Sequence, residues 1–164
     1  MPRCSHNYTA CHPNSDDTMS LPAAVPIQVW FVLQQHSLVL DWAGPAEALR
    51  IANQLLRAAG QPERFQIRFA GAAPQATGSV GGTLANLAPL PVHWNGPCWL
   101  VLVGLPGSTI AVDNDEAQAL LHWLRGLRLA RGRLELVTIC AGTLLAAHAG
   151  LLAGFVGIAA VAVY

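Results

Sequence analysis

Three apolar runs of strand length, separated by stretches with helical periodicity, most constrain what this chain can fold into. They are Ile27-Gln28-Val29-Trp30-Phe31-Val32-Leu33, Trp99-Leu100-Val101-Leu102-Val103 and Leu134-Glu135-Leu136-Val137-Thr138-Ile139. Near-continuous apolar runs of this length suit strands covered on both faces, as in a parallel sheet. Arg64 to Ala70 instead alternates, with Phe65, Ile67 and Phe69 set against Arg64, Gln66 and Arg68, which predicts a strand with one polar side. Gly44-Pro45 opens a predicted helix with Glu47 in its first turn. Pro45, Leu49, Ala52, Leu56 and Ala59 share one face of it, and Gly60 stops it. Asp113 with Glu116 resembles a capping box. The helix it starts buries Ala117, Leu120, Leu121, Leu124 and Leu127. Thr77 to Leu84 is glycine-rich and reads as a short strand or hairpin at a sheet edge. Strands alternating with helices predict an α/β fold, a three-layer α/β/α sandwich around a parallel sheet with right-handed crossovers.

At 164 residues the chain is long enough for one domain with a sizeable core. Its charged fraction is 11% against roughly 25% in an average soluble domain, and its hydrophobic fraction is 53%. Apolar or neutral residues, or a partner, must therefore cover much of its surface. The formal net charge is zero, which argues against electrostatic attraction to nucleic acid. Arg125, Arg128, Arg131 and Arg133 follow the second helix without interleaved aromatics and read as a solvated face that suits the helix dipole. Every basic residue is arginine and none is lysine, a codon-bias mark of a GC-rich bacterial genome.

The cysteines are Cys4, Cys11, Cys98 and Cys140, with no spacing that suggests a disulfide framework, so a reducing cytoplasm is expected. Cys4, His6, Cys11 and His12 form a zinc set on paper only, with no second pair or surrounding fold, and no metal is assigned. Residues 1–24 lack an apolar h-region and are read as a disordered leader, or as sequence upstream of a start at Met19. From Leu136 to Tyr164 there is no charged residue. That length could cross a bilayer. Thr138, Cys140, Gly142 and Thr143 interrupt it and no basic flank follows, so a membrane span is not favoured.

The third apolar run carries the chemistry. After Ile139 come one cysteine, a small-residue turn Ala141-Gly142-Thr143 and the helix-like Leu144-Leu145-Ala146-Ala147. This order lifts the Cys140 thiol onto a sharp corner between a strand and a helix, the layout of a nucleophile elbow built on cysteine. A thiol at the positive end of a helix dipole favours thiolate. Ligands of parallel sheets bind beyond the carboxyl ends of the strands. That rule brings together Cys140, the loop with Asp41, and the Gly104-Leu105-Pro106-Gly107-Ser108-Thr109 loop. The plain alternatives are a small buried residue at a tight corner for Cys140 and a helix-capping acid for Asp41. His36 and His148 read as surface or packing residues.

Leu40-Asp41-Trp42-Ala43-Gly44-Pro45-Ala46-Glu47-Ala48-Leu49, about a hundred residues before Thr138-Ile139-Cys140-Ala141-Gly142-Thr143, resembles the ThiJ/PfpI superfamily. Within it the similarity points to the amino-terminal domain of AraC/XylS-type transcriptional regulators of the GlxA kind. Ala146-Ala147-His148-Ala149-Gly150-Leu151-Leu152-Ala153-Gly154 resembles that group too. The resemblance spans roughly residues 26 to 154. It implies a flavodoxin-like, glutamine-amidotransferase-like fold. It also implies that Cys140 corresponds to the elbow cysteine and Asp41 to the acid approaching it, as in the isocyanide hydratase branch. Gly104, Leu105, Pro106, Gly107, Ala141 and Gly142 would line the ligand pocket, the Gly104–Gly107 loop helping through its backbone amides, and Ala141 N–H would be an oxyanion-type donor. A small-molecule ligand, no cofactor and a homodimer are further implications. Residues 155–164 do not resemble the family, which implies a domain of residues 25–154 with its carboxyl-terminal part incomplete, an exposed sheet edge and no helix-turn-helix half to read DNA.

Two functions follow from different classes. One is a ligand-sensing domain of an AraC-family regulator. The other is a small cysteine-dependent hydratase or hydrolase, with Cys140 as nucleophile and Asp41 as general acid/base. A remnant without activity is the third.

Overall fold

The first strand, β1 (Ile27–Val32), lies at the centre of a five-stranded sheet. The computed structural model describes residues 25–107 and 113–153. The expectations for the 1–24 leader with its Cys4, His6, Cys11, His12 set and Met19, for Ser108 and Thr109, and for Gly154 and the 155–164 tail lie outside the described residues.

β1 pairs with β2 (Phe65–Gly71) on one side and with β6 (Cys98–Leu102) on the other, both parallel. β7 (Leu134–Thr138) continues the sheet beyond β6, and the two-residue β5 (Ala88–Pro89) beyond β2, again in parallel. The order β5-β2-β1-β6-β7 is that of a doubly wound α/β sheet. A separate antiparallel pair, β3 (Gln75–Thr77) and β4 (Thr83–Ala85), forms the hairpin expected between Thr77 and Leu84. It is a sheet of its own, not an addition to the main edge.

The two apolar runs at the centre divide their side chains between the faces of the sheet. Val29, Phe31 and Leu33 share one core with Val101, Val103 and Ala46 of α1 (Val39–Ala58). Val32, Leu100 and Leu102 share the other with Leu120, Leu121 and Leu124 of α2 (Asp115–Arg125) and with Leu145 and Ala146 of α3 (Gly142–His148). Period-two alternation with helices on both faces leaves no polar side, which is why these runs read as continuous apolar sequence. On β2, Phe65, Ile67 and Phe69 pack under α1, while Gln66 and Arg68 stay exposed. The Arg68 guanidinium lies 5.4 Å from the ring centroid of Trp30.

Two helix starts differ from the sequence expectation. α1 begins at Val39, not at Gly44-Pro45, so Asp41 sits in its first turn and Pro45 inside it. Groups outside the helix support this earlier start. Leu38 N donates to Gly104 O at 2.9 Å, and Val39 N to Ser79 Oγ at 3.4 Å. Pro45, without an N–H, leaves the Asp41 carbonyl without its helical partner. The most buried positions on α1 are Ala46 and Asn53, while Ala59 is exposed. The second difference is at α2, where Asn114 and not Asp113 is the N-cap, its Oδ1 accepting from Ala117 N at 2.8 Å. Asn114→Ala is expected to lower stability by about 1 kcal/mol, and Asp113→Ala by less than half of that. Urea denaturation of both variants checks the assignment, which fails if the order is reversed.

Among the described residues, no helix is long and apolar enough to cross a membrane.

Candidate functional site

The order of the sheet reverses at β1. The chain leaves β1 through α1 to β2 on one side, and later returns to place β6 on the other. Such a switch point opens a crevice beyond the carboxyl ends of the two central strands. Here the crevice is bounded by the loop after β1, residues 34–38, and the loop after β6, which begins with Val103 and Gly104. β7 delivers its own carboxyl end next to that of β6, with Leu102 opposite Thr138.

Directly after β7 the backbone turns sharply. Ile139 N still donates to Leu102 O at 2.9 Å. Cys140 then adopts φ +52°, a left-handed conformation that is uncommon for a residue with a Cβ. Non-glycine residues held there cost of order 1–3 kcal/mol and cluster at functional sites. Gly142 N donates back to Ile139 O at 2.9 Å, and Thr143 Oγ1 donates to Thr138 Oγ1 at 2.9 Å across the corner. α3 starts immediately afterwards. The strand, strained cysteine and helix thus follow one another as the sequence order suggested.

Gly104 is where the separate segments meet. Its N–H donates to Asp41 Oδ2 at 3.0 Å, tying the loop after β6 to the first turn of α1. A methyl group built on Gly104 would lie 2.7 Å from Asp41 Oδ2, 3.0 Å from Cys140 Cβ and 3.2 Å from Ala141 N. The Asp41 carboxyl, the Cys140 side chain and the Ala141 amide therefore surround one methyl-sized space that only glycine keeps open. Among the described residues nothing accepts a hydrogen bond from Ala141 N–H, and Cys140 Sγ has no hydrogen-bond partner. Cys140 is half-buried, whereas Cys98 is fully enclosed and its thiol bonds to Gly96 O at 3.6 Å. Burial pushes the Cys98 thiol up from its ordinary range, as expected of a structural cysteine.

Leu105 and Pro106 lead from this meeting point into a cleft of about 640 Å³. The loop after β1 supplies Gln34, Gln35 and His36 to its wall, the hairpin supplies Ser79, and the start of α2 supplies Asn114 and Glu116. The volume falls within the range of small-molecule sites, about 300–1,000 Å³. His36 has φ +66° and is anchored by its N–H to Thr77 O at 2.6 Å, a second strained non-glycine residue at the same end of the sheet. Gly107 has φ +99° with nothing within 4 Å of a built Cβ, so it is the turn conformation and not a protein neighbour that favours glycine there.

Of the residues singled out in the sequence, Asp41, Gly104, Cys140 and Ala141 come together, and Leu105 and Pro106 line the adjoining cleft. Gly142 packs its backbone against Leu102. Gln34, Gln35, Ser79 and Asn114 were not singled out in the sequence, and Glu116 was taken only as a capping partner. A polar pair, Gln34-Gln35, directly after a buried strand was the available signal. Among the described residues no group of three His, Cys, Asp or Glu side chains could hold a metal ion.

No protein-family model matches the chain, and no curated protein matches it. Solved structures do. The chain is similar to a candidate transcriptional regulator protein from Vibrio parahaemolyticus, with TM-score 0.60 and 19% identity over 79% of this chain and 64% of that one. It is similar to a ThiJ/PfpI family protein from Pseudomonas syringae, with TM-score 0.52 and 17% identity over 88% of this chain and 54% of that one. An AraC family transcriptional regulator from Pseudomonas putida aligns with TM-score 0.42 and 17% identity over 77% of this chain and 89% of that one. The first two likenesses define the class by fold: an α/β protein with a flavodoxin-like parallel sheet, the fold it shares with the ThiJ/PfpI family protein. The chain spans less than two thirds of the length of either of those two neighbours.

Proposed function

We propose that this chain is a ligand-sensing domain of the ThiJ/PfpI type, of the sort that an AraC-family regulator carries beside its DNA-reading half. The observation that carries the reading is the small-molecule-sized cleft at the switch point, continuous in sequence with the Gly104 meeting point of Asp41 and Cys140. Similarity of fold to a candidate regulator supports the same direction without fixing a function. In this reading residues 25–153 bind a small molecule and do not themselves read nucleic acid, and two copies pair. Arg125, Arg128, Arg131 and Arg133 remain an exposed polar face.

The second reading is a cysteine hydratase or hydrolase, favoured by the strained Cys140 beside the Asp41 carboxyl. An activated nucleophile calls for a base within hydrogen-bond reach. The Cys140 thiol has none among the described residues, and Asp41 Oδ2 is engaged by Gly104 N–H. Sensing is therefore the better reading.

The test is a comparison of the chain with Cys140→Ser. A library of small metabolites is screened by thermal shift, and turnover of an aryl isocyanide and of an aryl ester is followed in parallel. Sensing predicts ligands whose affinity changes by less than about threefold in Cys140→Ser, with no turnover above the buffer rate. Turnover that disappears in Cys140→Ser overturns it in favour of the enzyme.

A further inference from the structure

α1 turns Ala46, Leu49 and Asn53 toward the sheet, and it is the only described helix on that face. Its outer side is exposed, yet it is not polar. Leu40 is 82% exposed, Leu55 65% and Ile51 43%, although all three are large apolar side chains. With the exposed Gly44, Ala48 and Ala59 they form one stripe, because residues three and four apart share a helical face. The charged residues beside it are already paired within the chain, Arg50 with Glu47 and Arg57 with Glu63. The hairpin extends the patch at the start of the helix. Ser79 Oγ accepts from Val39 N, and the next residue, Val80, is exposed. Contiguous exposed apolar surface marks an interaction site. It also suits a chain whose charged fraction is only 11%.

The order of residue sizes points to the partner. The stripe runs Leu40, Gly44, Ala48, Ile51, Leu55, Ala59, with spacings of four, four, three, four and four. The spacing is the same read from either end, and reversal exchanges every large residue for a small one. A second copy of α1 can be laid antiparallel about a twofold axis level with the midpoint between Ala48 and Ile51. Leu40 then lies level with the partner's Ala59, Gly44 with the partner's Leu55, and Ala48 with the partner's Ile51. A twofold interface must be self-complementary in this way. We infer that two copies of this chain pair through the outer face of α1, antiparallel, each large side chain seated over a small residue of the other copy. This contact rests on the pairing of two copies proposed above and gives it a surface. Small residues at each contact let the helix axes approach to the short end of the usual spacing, about 8–10 Å. One helix pair with a hairpin tip buries an area near the low end of specific interfaces, about 1,200 Å², so a dissociation constant of about 1–100 µM is expected and not a permanent dimer. Leu40 precedes Asp41, whose carboxyl accepts from Gly104 N–H, so the contact and the candidate site share the first turn of α1.

Sedimentation equilibrium of the whole chain, from about 1 µM to about 1 mM, tests the contact. The chain should form a dimer and nothing larger, since a twofold contact closes on itself. Ile51→Glu brings two carboxylates together near the axis and should weaken pairing at least about tenfold. Val92→Glu alters an equally apolar, exposed residue beside α2 on the opposite face and should leave pairing unchanged. Gly44→Leu adds apolar surface, and outside the helix backbone the only atom within 4 Å of its Cβ is Leu40 Cδ1 at 3.8 Å, so the fold admits it. It should nonetheless weaken pairing at least about fivefold, because two leucines then meet where one fits. Combining it with Leu55→Ala exchanges large for small and should restore pairing to within about threefold of the original. Circular dichroism checks that each variant keeps its helices. Pairing unaltered in Ile51→Glu, or strengthened by Gly44→Leu, overturns this surface and leaves pairing itself intact. Failure of Leu55→Ala to rescue Gly44→Leu overturns the antiparallel register. A chain that stays monomeric throughout overturns both the surface and the pairing, while ligand sensing is judged by the thermal-shift screen.

Discussion

Gly142→Ala is expected to destabilise the chain by about 3 kcal/mol or more, at the upper end of what over-packing one methyl costs. A Cβ at this position would lie 2.7 Å from the Leu102 carbonyl carbon, closer still to its oxygen, and 3.2 Å from the Val103 carbonyl carbon. All three are backbone atoms at the end of β6. Leu102 is paired with Val32 on one side and Thr138 on the other, and its carbonyl accepts from Ile139 N. It has no room to retreat without loosening both neighbouring strands, whereas a side chain could rotate away. The first turn of α3 must therefore sit directly on the end of β6, and that contact sets the sharpness of the Cys140 corner. Gly82→Ala is the matched control, because nothing lies within 4 Å of its built Cβ. Its effect should stay within about 0.5 kcal/mol. Urea midpoints for both variants decide the matter: equal midpoints would mean that α3 does not press on β6 as described.

A second large effect is expected from Asn53→Ala. Asn53 is buried on α1, and its side chain makes three hydrogen bonds with the start of β2. Nδ2 donates to Phe65 O at 2.6 Å, and Oδ1 accepts from Arg64 N and from Phe65 N, both at 3.0 Å. The N–H and C=O of Phe65 and the N–H of Arg64 would lose their partner together. Each such group costs about 1–3 kcal/mol when left unpaired and buried, though water can reach this sheet margin in part. A total loss of about 2–4 kcal/mol is expected. Asn53→Asp keeps the two acceptor bonds and should recover part of it. Amide hydrogen exchange gives the sharper readout, since protection of Phe65 N–H should fall in Asn53→Ala while protection of Leu100 N–H falls only with global stability. Full protection of Phe65 in the alanine variant would falsify the assignment.

The sheet was legible because its signal is local. Ile27–Leu33 and Trp99–Val103 are largely apolar on both faces, and few other arrangements can bury such runs. Leu134–Ile139, expected to be covered on both faces, is instead the edge strand, where Val137 stays exposed because no further strand or helix covers it among the described residues. Four residues of the α2 face, Ala117, Leu120, Leu121 and Leu124, recur at helical spacing and are buried as expected, whereas Leu127 lies past the helix end at Arg125 and is half-buried. The start of α1 was not legible, because partners far along the chain, Gly104 O and Ser79 Oγ, complete its first turn. Asn53 was missed for a related reason. A lone polar residue on a helical face carries no mark of whether a distant strand will bond to it.

The candidate site divides the same way. The sequence by itself determined that Cys140 follows a buried strand and precedes a helix, and that Asp41 and Gly104 lie beyond strands of the same parallel sheet. Those statements need only periodicity and the rule that parallel strands end on one side. Tertiary structure alone decided that Asp41, Cys140 and Ala141 surround the space over Gly104, and that Gln34 and Glu116 line one cleft. The reason is physical. Hydrophobic patterning is written in the spacing of neighbouring residues, whereas hydrogen bonding and shape at a site depend on residues brought together from four separate loops.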